Sequence, residues 1–258
     1  MINTAIKAAK AAGNLLHTEF LKNNRIPFSY KDKFDIQANL DIESAKIIKK
    51  IIKNKFPHHS IWGEESGKKI NDSDYLWIID PLDGTINFAN NLEEYCISIA
   101  LFKEGLPYLG VIFQPTSKRL YVAKKSCGAT LNGKPIKVSK ESKLINMLVA
   151  TDMTSKEPYR TDSFDIMKKI SLHTRHIRIF GSCALHLARL AEGKFDFYFK
   201  NLFDIWDFAA GAIIAKEAGG KVTDFSGKEI SIYSKNILVS NGVSHTKLLN
   251  LFNQIDSK

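Results

Sequence analysis

The sequence predicts a mixed α/β fold (mixed α+β) of two tightly packed subdomains, residues 1–140 and 141–258. The chain has 258 residues, of which 44% are hydrophobic, a composition typical of globular proteins that can bury a substantial core. Strand-like runs follow one another up to about residue 140, whereas strands and helices alternate after it. Because no glycine- or proline-rich linker separates the two parts, we expect a rigid pair.

Two amphipathic helices are predicted near the start of the chain. Apolar residues keep helical spacing over the first twenty residues and again over 42–55. Asp41 stands where an N-cap residue belongs before the second helix, and Pro57 follows the end of that helix.

The predicted strands of the first part are short apolar runs separated by turn residues. The run YLWIID, which starts at Tyr75, is expected to end at once at Pro81. The runs CISIALF, LGVIF and LYVAKK follow it, with Glu104–Gly105 and Asn132–Gly133 as predicted hairpin turns.

Helices and strands are predicted to alternate beyond residue 140, and two of the helices close at glycines. In order, we expect a strand at 147–151, a helix at 163–171, a strand at 176–180, a helix at 182–192 closed by Gly193, the strand FDFYF, a helix at 206–218 closed by Gly219, and the strand ILVS.

The chain is basic, with 37 Lys and Arg residues against 27 Asp and Glu, a net charge of +10. Only six of these cations are Arg, the residue that contacts bases and phosphates through paired hydrogen bonds, and the lysines are spread along the chain. Nothing resembles a helix-turn-helix or an RNA-binding signature. Nucleic acid is therefore a permitted partner that the sequence does not specifically indicate.

The cysteines and the hydropathy pattern indicate a cytoplasmic protein. The three cysteines are odd in number and widely spaced, so no CxxC metal site or disulfide framework is expected. No apolar stretch approaches the ~20 residues that a membrane span needs, and the first residues form an amphipathic helix rather than a signal peptide. We expect no contact with a membrane.

The most informative segment is DPLDGT at residues 80–85. Its carboxylates, Asp80 and Asp83, repel each other unless a cation lies between them or one of them is protonated. Ligation by oxygen alone suits Mg²⁺ or Mn²⁺ better than zinc. The backbone N–H groups of Gly84 and Thr85, if they open a helix, could hold an anion. An Asx turn at the end of a strand explains the same residues without any ligand.

Two further acidic segments accompany DPLDGT. Glu64 lies in GEES, after a short apolar pair, where a solvated acidic turn is the alternative. Asp207 lies in WDFAAG at the start of a predicted helix, where an Asp can simply stabilise the helix N-terminus. The small residues that follow Asp207 allow that helix to pack closely against a sheet. Taken singly, these two segments are explained by structural roles.

Taken together, GEES, DPLDGTINF and WDFAAG, in this order and separation, resemble the inositol monophosphatase family of metal-dependent, lithium-sensitive sugar phosphatases. The resemblance covers nearly the whole chain and implies a layered αβαβα sandwich, hydrolysis of a small sugar or polyol phosphate, and a homodimer. It extends to three longer segments: GATLNGKPIKVS at 128–139, RIFGSCALHLARLAEGKFDFYF at 178–199 and KEAGGKVTDFSG at 216–227.

The resemblance implies two or three Mg²⁺ ions, for which Mn²⁺ is a possible substitute. Glu64, Asp80 and the Leu82 carbonyl would bind the first ion, and Asp80, Asp83 and Asp207 the second. Glu64 and water molecules would bind a looser third ion. The four carboxylates carry −4, which two divalent ions neutralise. The charge of the phosphate would then be met by the third ion, by backbone amides or by a lysine of the 31–33 loop.

The resemblance also implies how water and phosphate are held. Thr85, paired with Asp41, would orient the attacking water, with Glu64 as the third catalytic residue. Asp83 and the amides of Gly84 and Thr85 would lie against the phosphate. No histidine is required, and His186 is expected to be a structural residue. The leaving group would face the loop before the 182–192 helix, through Gly181, Ser182 and Ala184.

The chain departs from the family pattern at Lys200, where inositol-preferring members carry an acidic residue that contacts substrate hydroxyls. A lysine cannot accept hydrogen bonds from hydroxyls, but it can pair with a second phosphate or carboxylate. This favours a substrate with a second anionic group, such as fructose 1,6-bisphosphate or a phosphorylated nucleotide. A surface lysine that points at solvent is the alternative.

Two other functions stay open at this point. The 3′(2′),5′-bisphosphate nucleotidases, and with them NADP phosphatase activity, share DPLDGT and WDxxAG, but they usually carry Lys-Glu-Phe after DGT. This chain has Ile86, Asn87 and Phe88 there, which favours the inositol type. Bacterial members of the family can also act as partners of transcription complexes, so a non-enzymatic role with RNA is the second alternative.

Overall fold

A computed structural model describes residues 1–22, 27–30, 36–64, 67–69, 73–231 and 233–256. Within these ranges the chain forms seven α-helices and fifteen β-strands. The helices are α1 (Ile2–Phe20), α2 (Asn39–Lys55), α3 (Thr85–Ala89), α4 (Tyr159–Ser171), α5 (Cys183–Ala191), α6 (Ile205–Glu217) and α7 (His245–Asp256). The strands are β1 (Phe28–Tyr30), β2 (Ile36–Ala38), β3 (Ser60–Gly63), β4 (Gly67–Lys69), β5 (Tyr75–Asp83), β6 (Cys96–Lys103), β7 (Leu106–Gln114), β8 (Arg119–Lys124), β9 (Ala129–Leu131), β10 (Lys134–Ile136), β11 (Leu148–Thr151), β12 (His176–Arg178), β13 (Phe197–Asn201), β14 (Lys221–Thr223) and β15 (Asn236–Ser240).

Two sheets contain most of these strands. The first has eight strands in the order β10-β9-β8-β7-β6-β5-β3-β4, and it is antiparallel except for the pair β3 and β5. The second has five strands in the order β12-β11-β13-β15-β14, and β11 is parallel to both of its neighbours. All strands of the first sheet precede residue 137, and all strands of the second follow residue 147. A separate antiparallel pair joins β1 to β2.

The elements stack in five layers, which confirms the predicted mixed fold. Helices α1 and α2 cover one face of the first sheet, α5 and α6 lie between the two sheets, and α4 and α7 cover the outer face of the second. Alternate residues of a strand point to opposite faces, so one strand contributes to two cores. In β6, Ile97 and Ile99 pack beneath α1 and α2, whereas Ala100 and Phe102 pack against α5 and α6.

Helix α6 is buried between the sheets because its small residues permit close approach, as predicted. A Cβ added to Gly110 of β7 would lie 2.6 Å from the carbonyl oxygen of Ala210. A Cβ added to Gly211 would lie 2.5 Å from Cβ of Leu187 on α5. In the described part of the chain, no helix is long and apolar enough to cross a membrane.

The predicted turns are confirmed, whereas several predicted boundaries are wrong. Helix α4 begins at Tyr159 and not at residue 163, and β12 ends at Arg178 and not at residue 180. Glu104 and Gly105, like Asn132 and Gly133, have the positive φ angles that two-residue hairpin turns require. The second helix begins at Asn39, so Asp41 lies in its first turn and is not the N-cap. Strand β5 continues through Pro81 to Asp83, because an irregularity in its pairing with β6 accommodates the proline.

Candidate active site

Strand β5 delivers Asp80 and Asp83 to the inside of the molecule. Asp80 pairs with Ser98 of β6, and Asp83 pairs with Cys96. Between these two pairs β5 advances by three residues and β6 by only two, so β5 contains a β-bulge. Asp80 Oδ1 accepts the Leu82 N–H at 3.1 Å, which is the predicted Asx-type contact. The bulge therefore places two carboxylates in one buried turn.

Asp83 is held by the start of α5, one hundred residues away in sequence. Its Oδ2 accepts hydrogen bonds from the Ser182 hydroxyl and, at 2.9 Å, from the Ala184 N–H. Its Oδ1 accepts the Cys183 N–H at 3.2 Å. Burial raises the pKa of Asp83 to about 6, against the opposing effect of the Ser182 hydrogen bond. A residue of the first sheet thus caps a helix that packs between the two sheets.

Asp207 occupies the first turn of α6, where its contacts combine two roles. Its Oδ2 accepts the Asp204 N–H at 3.3 Å, so the predicted interaction with the helix N-terminus is present. The same oxygen lies 3.0 Å from Nζ of Lys200 on β13. The Lys200 side chain is only 12% exposed, so the expected alternative of a lysine that points at solvent is wrong.

The carboxylates of the three acidic segments meet around Asp80. Burial raises the pKa of Asp80 well above its usual range, and the charges of Glu64, Asp83 and Asp207 raise it further. Because β3 and β5 are parallel, Glu64 and Asp80 lie towards the same end of the first sheet. The start of α6 lies near them, since the ring of Trp206 is 6.4 Å from that of Trp62 on β3. Glu65 and Ser66 of GEES, and the lysines of the 31–33 loop, lie outside the described residues.

The donor set suits a divalent cation of the Mg²⁺ type. It consists of oxygen atoms, of which those of Asp80 and Asp83 are buried and those of Glu64 and Asp207 are partly exposed, and its charges repel one another unless a cation lies among them. Among the residues that the structure describes, however, no group of three His, Cys, Asp or Glu side chains already has the arrangement of a metal site. Lys200 and the start of α5 hold Asp207 and Asp83 instead.

The turn after Asp83 carries the residues predicted to face the phosphate. Gly84 precedes α3 with φ of +91°, and Thr85 is the first residue of that helix. The Thr85 hydroxyl donates to the Leu82 carbonyl at 3.0 Å, which is the carbonyl expected to bind a metal ion. The predicted pairing of Thr85 with Asp41 stays a prediction. Asp41 is buried in α2, and Ser44, three residues further along that helix, donates to the Pro81 carbonyl at 2.7 Å.

The loop before α5 is held by three side chains, of which only His186 was predicted to have a structural role. Asn87 Nδ2 donates to the Phe180 carbonyl at 2.6 Å, and Asp152 Oδ1 accepts the Gly181 N–H at 3.0 Å. His186 Nε2 accepts the Phe180 N–H at 3.2 Å. His186 is fully buried on α5, as expected of a structural histidine. Sequence signals for these contacts are weak, because the partners are far apart along the chain.

Comparison with known proteins agrees with the motifs. The model of the inositol monophosphatase family matches residues 1–257. The chain is 36% identical over 260 residues to a Thermotoga maritima protein named fructose-1,6-bisphosphatase/inositol-1-monophosphatase, covering 98% of this chain and 96% of that protein. It is 35% identical over 243 residues to the Escherichia coli Nus factor SuhB, covering 93% and 91% of the two chains.

A solved structure gives the same result for the fold. The extragenic suppressor protein suhB from Bartonella henselae superposes with a TM-score of 0.93 at 32% identity, over 98% of both chains. Because the family model spans almost the entire sequence and the similarity extends over the full fold, this chain belongs to the inositol monophosphatase family.

Proposed function

We propose that the chain is a Mg²⁺-dependent hydrolase of a phosphate monoester of a small sugar or polyol. The observation that carries this proposal is the meeting of carboxylates from three separate segments around the buried Asp80. Family membership supports the reaction class, and the repulsion among these carboxylates supports the need for a divalent cation.

The residues that would hold the ions are the oxygen donors of this cluster. Glu64, Asp80 and the Leu82 carbonyl would hold one ion, and Asp80, Asp83 and Asp207 another, with Glu64 and water molecules on a looser third. When bound, such ions activate a water molecule and stabilise the negative charge on the leaving oxygen. Mg²⁺ accepts this all-oxygen set, and Mn²⁺ can replace it.

The other residues of the site orient the reactants. The Thr85 hydroxyl donates its proton to the Leu82 carbonyl, so its oxygen can accept a hydrogen bond from the attacking water. Asp41 shares a face of α2 with Ser44, which reaches the DPLDGT turn, and would hold the same water. The amides of Gly84 and Thr85 stand at the start of α3, where no helical carbonyl satisfies them, and would bind the phosphate.

The metal dependence is tested with a panel of phosphate esters. Inositol 1-phosphate, fructose 1,6-bisphosphate and a nucleoside 3′,5′-bisphosphate are assayed with Mg²⁺ and with EDTA. We expect phosphate release only with Mg²⁺, and a loss of roughly 100-fold or more in Asp80→Asn because a ligand is removed. The control is Glu229→Gln, an exposed acid that pairs with Lys216. Release that persists in EDTA and in Asp80→Asn contradicts the proposal.

Lys200 supports a narrower proposal on substrate class, namely an ester with a second anionic group. The ammonium group has three donors, of which one reaches Asp207, so the others can serve a substrate anion. The test is the ratio of kcat/KM on fructose 1,6-bisphosphate to that on inositol 1-phosphate. Lys200→Glu should lower this ratio, and an unchanged ratio would contradict the proposal of a second anionic group on the substrate.

A second function, binding of RNA, is favoured by the net charge of +10 and by the similarity to a protein named Nus factor. An electrophoretic shift of RNA that weakens with salt and persists in Asp83→Asn would support it. No shift at low salt would exclude it.

We also propose a homodimer, for which light scattering should give twice the 29.0 kDa of one chain.

A further inference from the structure

Lys200 occupies an unusual place for a lysine in this site. It lies near the end of β13, and its side chain is largely buried. Its Nζ is 3.0 Å from Oδ2 of Asp207, which is the distance of a charge-assisted hydrogen bond. The proposed function needs this same carboxylate for a divalent ion. One acidic group therefore has two candidate cations.

The surroundings keep the charge on Lys200. Burial alone would lower the pKa of the ammonium group, but the negative charges of Asp207 and Asp152 outweigh burial and raise the pKa. The effect is mutual, because the Lys200 charge contributes to lowering the pKa of Asp152. The lysine thus already supplies one positive charge to a cluster of four carboxylates.

A lysine and a divalent ion on the same carboxylate oppose each other. Mg²⁺ binds carboxylate oxygen at about 2.1 Å. With Nζ 3.0 Å from Oδ2, the two cations on this oxygen are at most about 5 Å apart. At that separation in a partly buried site their repulsion is screened less than it would be in bulk water.

We propose that Lys200 is a resident cation that competes with a divalent ion for Asp207, so that removing the charge of Lys200 would strengthen the binding of this weaker ion. The inference rests on the proposed function, because it concerns the same metal site. In this chain the weaker ion site opens when Lys200 leaves Asp207.

The test is isothermal titration of the purified full-length protein with Mn²⁺. Lys200→Gln keeps a donor for Asp207 but removes the charge, and Lys200→Met is a second variant of similar length. We expect the weaker ion to bind at least 10-fold more tightly in both variants than in the wild type. Lys200→Arg should stay within a factor of three of the wild type. The matched control is Lys216→Gln, which removes an exposed lysine that pairs with Glu229.

Three outcomes are distinguishable. A tighter weak site in Lys200→Gln that disappears in the double variant with Asp207→Asn supports the inference. Mn²⁺ binding in the wild type that is unchanged in folded Lys200→Gln or Lys200→Met overturns it and leaves the proposed function intact. If neither the wild type nor any variant binds Mn²⁺, both the metal-dependent function and the inference fail. Circular dichroism establishes that each variant is folded.

Discussion

Oδ2 of Asp152 lies 2.8 Å from Nδ1 of His186, and both side chains are buried beside the candidate active site. The other nitrogen of the ring, Nε2, accepts the Phe180 N–H, so Nδ1 carries the proton and donates it to Asp152. Asp152 Oδ1 accepts the next amide of the loop, that of Gly181. The pair thus holds two successive amides of the loop that is expected to face the leaving group.

Asp152→Asn should therefore disturb this loop. In either orientation the new amide sets its NH2 group against another donor, the Nδ1–H of His186 or the Gly181 N–H, so that one buried hydrogen bond is lost. We expect stability to fall by about 2 kcal/mol, the cost of unsatisfied buried groups. We also expect KM for the phosphate ester to rise more than kcat falls. Urea unfolding and steady-state kinetics measure both, with the exposed Asp165→Asn on α4 as the control. Unchanged KM would show that the pair does not position the loop.

Ser182→Ala should lower activity through Asp83. The variant removes the hydroxyl donor but leaves the amides of Cys183 and Ala184 on the same carboxylate. A hydrogen bond to a charged group contributes about 1.5–3 kcal/mol, so we expect kcat/KM to fall by about 10-fold or more. Ser182→Thr keeps a hydroxyl and should restore most of the activity. Equal activity of both variants and the wild type would contradict this role.

Gly84→Ala and Gly105→Ala form a matched pair, because both glycines have positive φ but different surroundings. A Cβ on Gly84 would lie 2.5 Å from the Glu94 carbonyl oxygen, whereas a Cβ on Gly105 meets nothing within 4 Å. Backbone strain alone costs about 1 kcal/mol, so Gly105→Ala should be mildly destabilising. Gly84→Ala should cost about 3 kcal/mol, since the clash with backbone adds to the strain. Chemical unfolding of both variants checks the difference, and equal losses would refute the argument.

Stability should depend on pH through His245, which lies at the start of α7 far from the acidic cluster along the chain. Burial, with a smaller contribution from Lys221, lowers the pKa of His245 from 6.5 to about 4. Its ring lies between the hydroxyls of Thr223 and Ser240, which suits the neutral form. Between these two pH values the unfolded chain binds the proton and the folded chain does not.

The stability due to His245 is therefore fully present above pH 6.5 and is lost as the pH falls towards 4, by about 3 kcal/mol in total. Urea unfolding at several pH values measures this slope. His245→Gln should flatten the slope, whereas the exposed His173→Gln should not change it. Equal slopes in the wild type and His245→Gln would contradict the prediction.

Local patterns predicted the elements well because they depend on neighbouring residues. Apolar periodicity located α1 and α2, and residue pairs such as Asn132–Gly133 located turns of positive φ. The errors have tertiary causes. Pro81 did not end β5, because the bulge opposite β6 removes the need for its missing N–H. Helix α2 starts two residues before Asp41, a difference that capping preferences alone do not resolve.

The candidate site could be predicted only where a motif lies in one short segment. DPLDGT and WDFAAG identified Asp80, Asp83 and Asp207, which the structure brings together. The contact of Lys200 with Asp207 and that of Asp152 with His186 depend on how β13, β11 and α5 are arranged. Spacing along the sequence carries no information about such contacts, because side chains of different elements meet only after the sheets have packed.

The capping of α5 by Asp83 links the proposed metal site to the integrity of the junction between the sheets. Glu64, Asp80 and Asp83 belong to the first sheet, whereas Asp207 and the amides that hold Asp83 belong to the part of the chain that builds the second. Two fragments separated by a cut between residues 137 and 147 would each carry only part of the proposed metal site. Reassociation of such fragments would then restore phosphatase activity at the same time as it restores the packing of the two parts. Partial opening of the junction would abolish activity before the strands of either part unfold.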